Sequence, residues 1–227
     1  MTAWPGSAEE LVRAQQELAR AAPAAWRPTD AEPAVGGCFV CFERGPTGPG
    51  REGEPGWAGA AVVRGGLGAE AVVRGEAGAA YEPGLLALRE GPLLEAAVRA
   101  LGERPDVLLV DATGRDHPRR AGLALHLGAS LDLPTVGITH RPLLAEGEWP
   151  EDEHGARSPL RLGGELVGYW LRTRVGTRPL VIHGAWRTEP EAAVEVVLAS
   201  VRAQRTPEPL RRARRAARTA RAASGEH

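Results

Sequence analysis

The stretch "DVLLVDA", residues 106–112, constrains the fold more than any other. Successive side chains of a strand point to opposite faces of its sheet. Four apolar residues in a row, Val107 to Val110, therefore describe a strand covered on both faces, as in parallel sheets flanked by helices. The run ends in a carboxylate, Asp111. It continues as "ATGRDHPRR" and then as a helical pattern, "AGLALHLGASLDL". An acid at the end of a buried strand, with His117 and two arginines just beyond, suits a hard-cation site that handles phosphate. Taken alone, such an Asp is more often a helix cap or turn residue, so the rest of the chain must supply partners.

The other segments fall around this strand. Residues 7–21 read as an amphipathic helix capped by Ser7, with Leu11, Val12, Gln15 and Leu18 on one face. A Pro-rich linker runs to Pro33. "AVGGCFVCFERG" reads as a buried strand. "WAGAAVVRG" and "GAEAVVRGEAG" read as two more, joined at Gly65-Gly66. The Gly- and Pro-rich "GPTGPGREGEPG" between the first two is a loop. These three strands form an antiparallel meander. The period then becomes helical in "PGLLALREGPLLEAAVRALGERP", with a break expected near Gly91-Pro92. After the Asp111 strand and its helix come the strand "PTVGITH", a hairpin from "ELVGYWLRTR" and "PLVIHGAW", and a final long helix, "EPEAAVEVVLASVRAQR". A meander followed by strand–helix–strand units predicts an α/β fold: a mixed sheet with helices on both faces.

The chain has 227 residues, 43% of them hydrophobic and 25% charged, which suits one soluble globular domain. No apolar run approaches the ~20 residues of a membrane span. The first residues lack a secretory pattern, so a cytoplasmic protein is expected. The net charge of −1 says nothing about partners, but its distribution does. All 28 basic residues are Arg, and many lie in the tail "RTPEPLRRARRAARTARAASGEH". That tail reads as a solvated helix end or disordered segment that can also approach phosphates. Cys38 and Cys41 lack the second pair that a zinc site needs, and read as buried core thiols.

Asp111, His117, His140 and His183 lie at strand ends, and Glu90 lies on the first long helix after the meander. Carboxylates brought together from distant segments can hold Mg²⁺, which takes oxygen ligands and activates water against a phosphodiester. Glu90 alone reads as a solvated surface acid.

The order and spacing of five blocks are more specific. "YEPGLLALREGP", "LLVDATGRDHPRRAGLALHLG", "LPTVGITH", "VGYWLRTRVGTRPLVIHGAW" and "PEPLRRAR" resemble the endonuclease V family over roughly residues 35–214. The resemblance implies an RNase H-like fold. It also implies Mg²⁺-dependent cleavage of DNA or RNA at the second phosphodiester on the 3′ side of deoxyinosine or inosine, as in DNA repair. It assigns Asp111 and Glu90 as metal-binding and catalytic acids, and His117 and His140 as further catalytic positions. It sets Tyr81, Pro83 and Gly84 at the wedge and the pocket for an extruded base. His183 is the candidate stand-in for a missing histidine on the substrate side.

The departures concentrate on the metal. Phe39 occupies the position of the first-strand aspartate, and Trp186 that of a histidine. His140 replaces a lysine, and the wedge reads Ala80-Tyr81-Glu82-Pro83. Phe cannot coordinate Mg²⁺. Two readings therefore follow: an endonuclease V-like nuclease with a weakened site, or a nucleic-acid-binding paralogue without catalysis. A structural paralogue that assembles with another protein is a third. The expected layout is residues 1–34 as helix and linker on the core, 35–205 as the nuclease-like domain and 206–227 as the basic tail. A monomer without membrane contact is expected.

Overall fold

The computed structural model describes residues 4–28, 32–43 and 50–225. Part of the linker (29–31) and part of the loop before the second strand (44–49) lie outside the described residues. Eight strands form one sheet: β1 (Val35–Phe42), β2 (Pro55–Arg64), β3 (Leu67–Glu76), β4 (Val107–Val110), β5 (Thr135–Thr139), β6 (Arg157–Leu162), β7 (Glu165–Leu171) and β8 (Leu180–Gly184). Their order is β3-β2-β1-β4-β5-β8-β7-β6. β1, β4 and β5 are parallel; every other neighbouring pair is antiparallel. The meander and the hairpin of β7 and β8 therefore flank a short parallel centre, and all four residues of β4 are buried.

Helices cover both faces, as the continuous apolar run of β4 requires. On one face lie α1 (Ala8–Arg20), α2 (Leu86–Arg99) and α3 (Leu123–Leu131), packed on Cys38, Val40, Leu108 and Val110. On the other lie α4 (Pro190–Ser200) and the start of α5 (Glu208–Ser224), packed on Val35, Val107, Leu109 and Ile182. Among the described residues, no helix is long and apolar enough to cross a membrane.

Four details differ from the sequence reading. α2 runs unbroken through Gly91 and Pro92. Gly91 is there for packing, since a Cβ would meet the Trp4 ring at 2.3 Å. The last helix is α5 and not the segment ending at Ser200. The basic tail is neither solvated throughout nor disordered: α5 buries Leu210, Ala213 and Ala217. It lies close on the sheet because Gly37 and Gly59 carry no side chain. A Cβ at Gly37 would sit 2.5 Å from the Leu210 nitrogen, and one at Gly59 2.4 Å from the Ala213 carbonyl. The edge strand β6 was not anticipated; its sequence "RSPLRL" is polar and contains Pro159.

Candidate active site

The register of β1 on β4 sets Cys38 opposite Val110. One residue further on, Phe39 and Asp111 come level. Strand alternation turns both toward the α5 face, because Cys38 and Val110 belong to the core under α2. Glu90 approaches from that other side: Leu86, Glu90 and Leu94 repeat at the four-residue helical spacing. Glu90, Asp111, Cys38 and Phe39 together line a cavity of about 130 Å³ at this end of the strands.

The electrostatics of this cavity are unlike those of an open acid pair. Burial, helped by the negative charge of Asp111, pushes the Glu90 carboxyl up to about 8, against the opposing pull of Arg89. Burial also raises the Cys38 thiol far above its ordinary range. Asp111 is already partnered: Arg214 Nη2 donates to Asp111 Oδ2 at 2.9 Å. The guanidinium carbons of Arg214 and Arg218 lie 5.5 and 5.4 Å from the centroid of the Phe39 ring.

These residues do not fit Mg²⁺. The ion demands oxygen donors in near-octahedral geometry. Here the neighbours are a thiol, a phenyl ring, a single buried carboxyl from α2, and a carboxylate bound to arginine. Among the described residues, no three His, Cys, Asp or Glu side chains gather as a metal-holding group.

A second cavity, of about 230 Å³, adjoins the first and shares Asp111 as a wall. Its other walls include Tyr81, Pro83, Gly84, His117, Thr139 and Leu143. Tyr81 is 46% exposed and Leu143 50% exposed. The turn carrying Gly84, at φ +81°, is held from three directions. Its carbonyl accepts from Gln15 Nε2 at 3.2 Å and Arg119 Nη2 at 2.7 Å, and lies 3.2 Å from His117 Nε2. His117 Nδ1 accepts from the Arg119 backbone N–H at 3.2 Å, so Nε2 carries the proton given to Gly84. Both ring nitrogens are thus engaged. Burial and the charge of Arg119 lower the ring to about 4. His117 positions the Gly84 turn in this arrangement, and the expected catalytic role has no free nitrogen to use.

The remaining residues separate. His140 is exposed at its surface, with Nδ1 3.3 Å from Arg205 Nη1; partial burial of the ring together with Arg205 and Arg214 lowers its pKa against the opposing pull of Asp111. His183 is fully buried, which corrects its expected contact with substrate. Its Nε2 lies 3.0 Å from Thr139 Oγ1, whose hydroxyl donates to the Arg141 carbonyl, so His183 touches the second cavity only through Thr139. Trp186 lies beyond Gly184 of β8, and its backbone pairs with Thr135 at the start of β5, the end remote from Asp111. A residue there does not reach the acids.

Sequence reading missed Arg214, Arg205 and Asp116. Arg214 sat within a quoted block, "PEPLRRAR", but as one arginine among many. Asp116 is fully buried and accepts three backbone N–H groups, from Leu143, Leu144 and Ala145, at 2.6, 2.8 and 2.8 Å. It fixes the loop that carries Leu143 to the cavity mouth.

A mixed sheet with a parallel centre, an acid at the end of its middle strand facing one on a helix, and an adjoining pocket define an RNase H-like nuclease scaffold. Residues 51–215 match the family model for endonuclease V, and the chain belongs to the endonuclease V family. Endonuclease V of Methanopyrus kandleri is 45% identical over 140 residues, 62% of this chain and 60% of that protein; the match thus spans less than two thirds of that relative. The crystal structure of endonuclease V from Streptomyces avermitilis superposes with a TM-score of 0.86 at 34% identity, covering 97% of this chain and 96% of that one. Endonuclease V of Ciona intestinalis, solved with a 24mer DNA containing an inosine, shares the fold at a TM-score of 0.76 and 20% identity, covering 93% of this chain and 96% of that one.

Proposed function

We propose that the protein recognises a deaminated purine in a nucleic-acid strand, receives the extruded base in the cavity between Tyr81 and His117, and holds the strand without Mg²⁺-dependent cleavage. The observation that carries this reading is the contrast at Asp111. On one side lies an open cavity with an exposed aromatic at its mouth; on the other, the carboxylate is taken by Arg214. An extruded base leaves a gap in its stack, and an aromatic side chain can fill it. Family membership and the inosine-bearing DNA held by the Ciona protein support inosine as the ligand class.

The test is binding of an inosine strand and its guanine counterpart, in chelator and in Mg²⁺, with nicking followed in parallel. Preference for inosine in chelator, without nicking, is expected. Tyr81→Ala should remove about 1–3 kcal/mol of that preference. Equal affinity for both strands defeats the recognition reading; nicking in Mg²⁺ defeats the non-cleaving one. A second reading, a Mg²⁺-dependent nuclease, draws on Glu90 and Asp111 sharing one cavity. It requires Arg214 to leave Asp111.

A further inference from the structure

Arg214 is held from three sides. Leu210, Ala213 and Ala217 anchor its helix on the sheet, Phe39 lies under its guanidinium, and Asp111 accepts from Nη2. Its Nε is buried and has no partner. Arg205 stands nearby, donating to the carbonyls of Arg178 and Pro179 at 2.6 and 2.9 Å, and its Nη1 meets His140. The charge of Arg214 reaches both Arg205 and His140. Arg218 shares the Phe39 ring. Asp111 thus supplies one negative charge, with Glu90 across the small cavity, against three guanidinium groups.

We propose that Arg214 is a built-in cation that takes the place of a divalent metal, and that Arg214 and Arg205 together bind a backbone phosphate of the nucleic-acid strand. A guanidinium is always charged and offers several N–H donors in a plane, which suits both a carboxylate and a phosphate. With one edge on Asp111, it stays aligned and still presents donors to a second anion. The metal would bring charge and oxygen affinity at a cost in pH and chelator sensitivity; the arginine brings charge alone, without activating water. The identity of the anion as a nucleic-acid phosphate rests on the function proposed above.

The experiment uses the full chain, with the inosine strand and its guanine counterpart at constant ionic strength, and with Mg²⁺ alone in thermal melts. Wild type should bind equally in Mg²⁺ and in chelator, with no melting shift on adding Mg²⁺. Arg214→Gln should weaken both strands alike, by roughly tenfold, and flatten the salt dependence by about one phosphate contact. Arg214→Lys should keep most of that salt dependence. Arg205→Gln, which leaves the Asp111 pair untouched, should flatten it as well and serves if Arg214→Gln does not fold. Phe39→Asp with Arg214→Asp should gain a Mg²⁺-dependent rise in melting temperature that Phe39→Asp alone lacks. A Mg²⁺-dependent rise in wild type overturns the proposal, as does unchanged affinity and salt dependence in both Arg214→Gln and Arg205→Gln. If wild type shows no inosine preference while Arg214→Gln still weakens both strands, the base-recognition reading fails and the phosphate site stands.

Discussion

Two cavities meet at Asp111, and they are maintained by different means. The larger one is shaped by polar groups: buried Gln15 and His117 with half-buried Arg119 hold the Gly84 carbonyl, and buried Asp116 holds the Leu143 loop. The smaller one depends on a helix from the end of the chain, whose close seat on Gly37 and Gly59 brings Arg214 to Asp111. Hydrogen bonds to buried carbonyls and amides fix positions to a few tenths of an ångström and are costly to leave half made. Seating of a small-residue helix is sensitive to volume instead. Perturbations of these two kinds should therefore disturb one cavity and spare the other.

The largest effect should come from the helix seat. In Gly37→Val the new side chain meets the backbone of Pro209 and Leu210, which has no rotamer by which to give way. A loss of about 3 kcal/mol is expected in urea unfolding. Limited proteolysis should then release α5 first. A variant that melts like wild type with α5 protected would show that the seat is not what holds Arg214. Asp116→Ala is next. It leaves three backbone N–H groups without their acceptor in a buried setting, for a loss of about 2–3 kcal/mol. Inosine preference should fall with it, while the salt dependence of binding, which belongs to Arg214 and Arg205, should not change.

The larger cavity was more legible in the sequence than the smaller. Tyr81, Gly84, Asp111 and His117 lie in motifs whose local pattern announces a strand end, a turn or a loop. The sheet was legible too, because β1 to β5 carry apolar runs bounded by turn residues. α5 was not. Its buried stripe is Leu210, Ala213 and Ala217, and alanine among arginines gives little apolar signal; the seat that accepts it is made of glycines on distant strands. Nor does one arginine among 28 reveal which carboxylate it will meet. The distance of Trp186 from the acids was hidden for the same reason. Three positions along a strand and its exit separate it from His183, and only the register of β8 on β5 shows that they run away from Asp111.

A smaller effect should appear on acidification. His117 and His126 are neutral when folded, each lowered to about 4 from 6.5, chiefly by burial. Between these values the unfolded chain binds more protons than the folded one. Stability should therefore fall as pH drops from about 6.5 to about 4, and level off below. Roughly 1–2 kcal/mol per ring is expected, less than the full shift implies because the folded protein relaxes around the charge. His126 lies away from both cavities, stacked on Trp4 with ring centroids 4.6 Å apart. Urea midpoints from pH 7 to pH 4.5 separate the two: His126→Leu should flatten the profile and leave inosine preference unchanged, whereas His117→Asn should flatten it and reduce that preference. A profile that neither variant alters would exclude both rings as its source.

The smallest effect is expected where the family pattern points most directly. The resemblance read from the sequence sets Trp186 at the position of a family histidine, so Trp186→His, joined to Phe39→Asp, looks like repair of a metal site. The strands argue otherwise. Gly184 pairs with Val136 and Val181 with Thr139, so the chain after Gly184 leaves at the Thr135 end of β5. Val110 of β4 pairs with Gly137, which puts Asp111 toward the Thr139 end. At about 3.3 Å per residue, Trp186 is separated from Asp111 by roughly 13 Å along the strands. It also faces Gly128 of α3, where a Cβ would lie 2.5 Å from Trp186 Cβ. A histidine there reaches no acid. Phe39→Asp with Trp186→His should show no Mg²⁺-dependent melting shift beyond that of Phe39→Asp alone, because Arg214 still holds Asp111. A shift of several degrees from adding Trp186→His would mean that β8 pairs in another register, and would undo the placement of His183 along with that of Trp186.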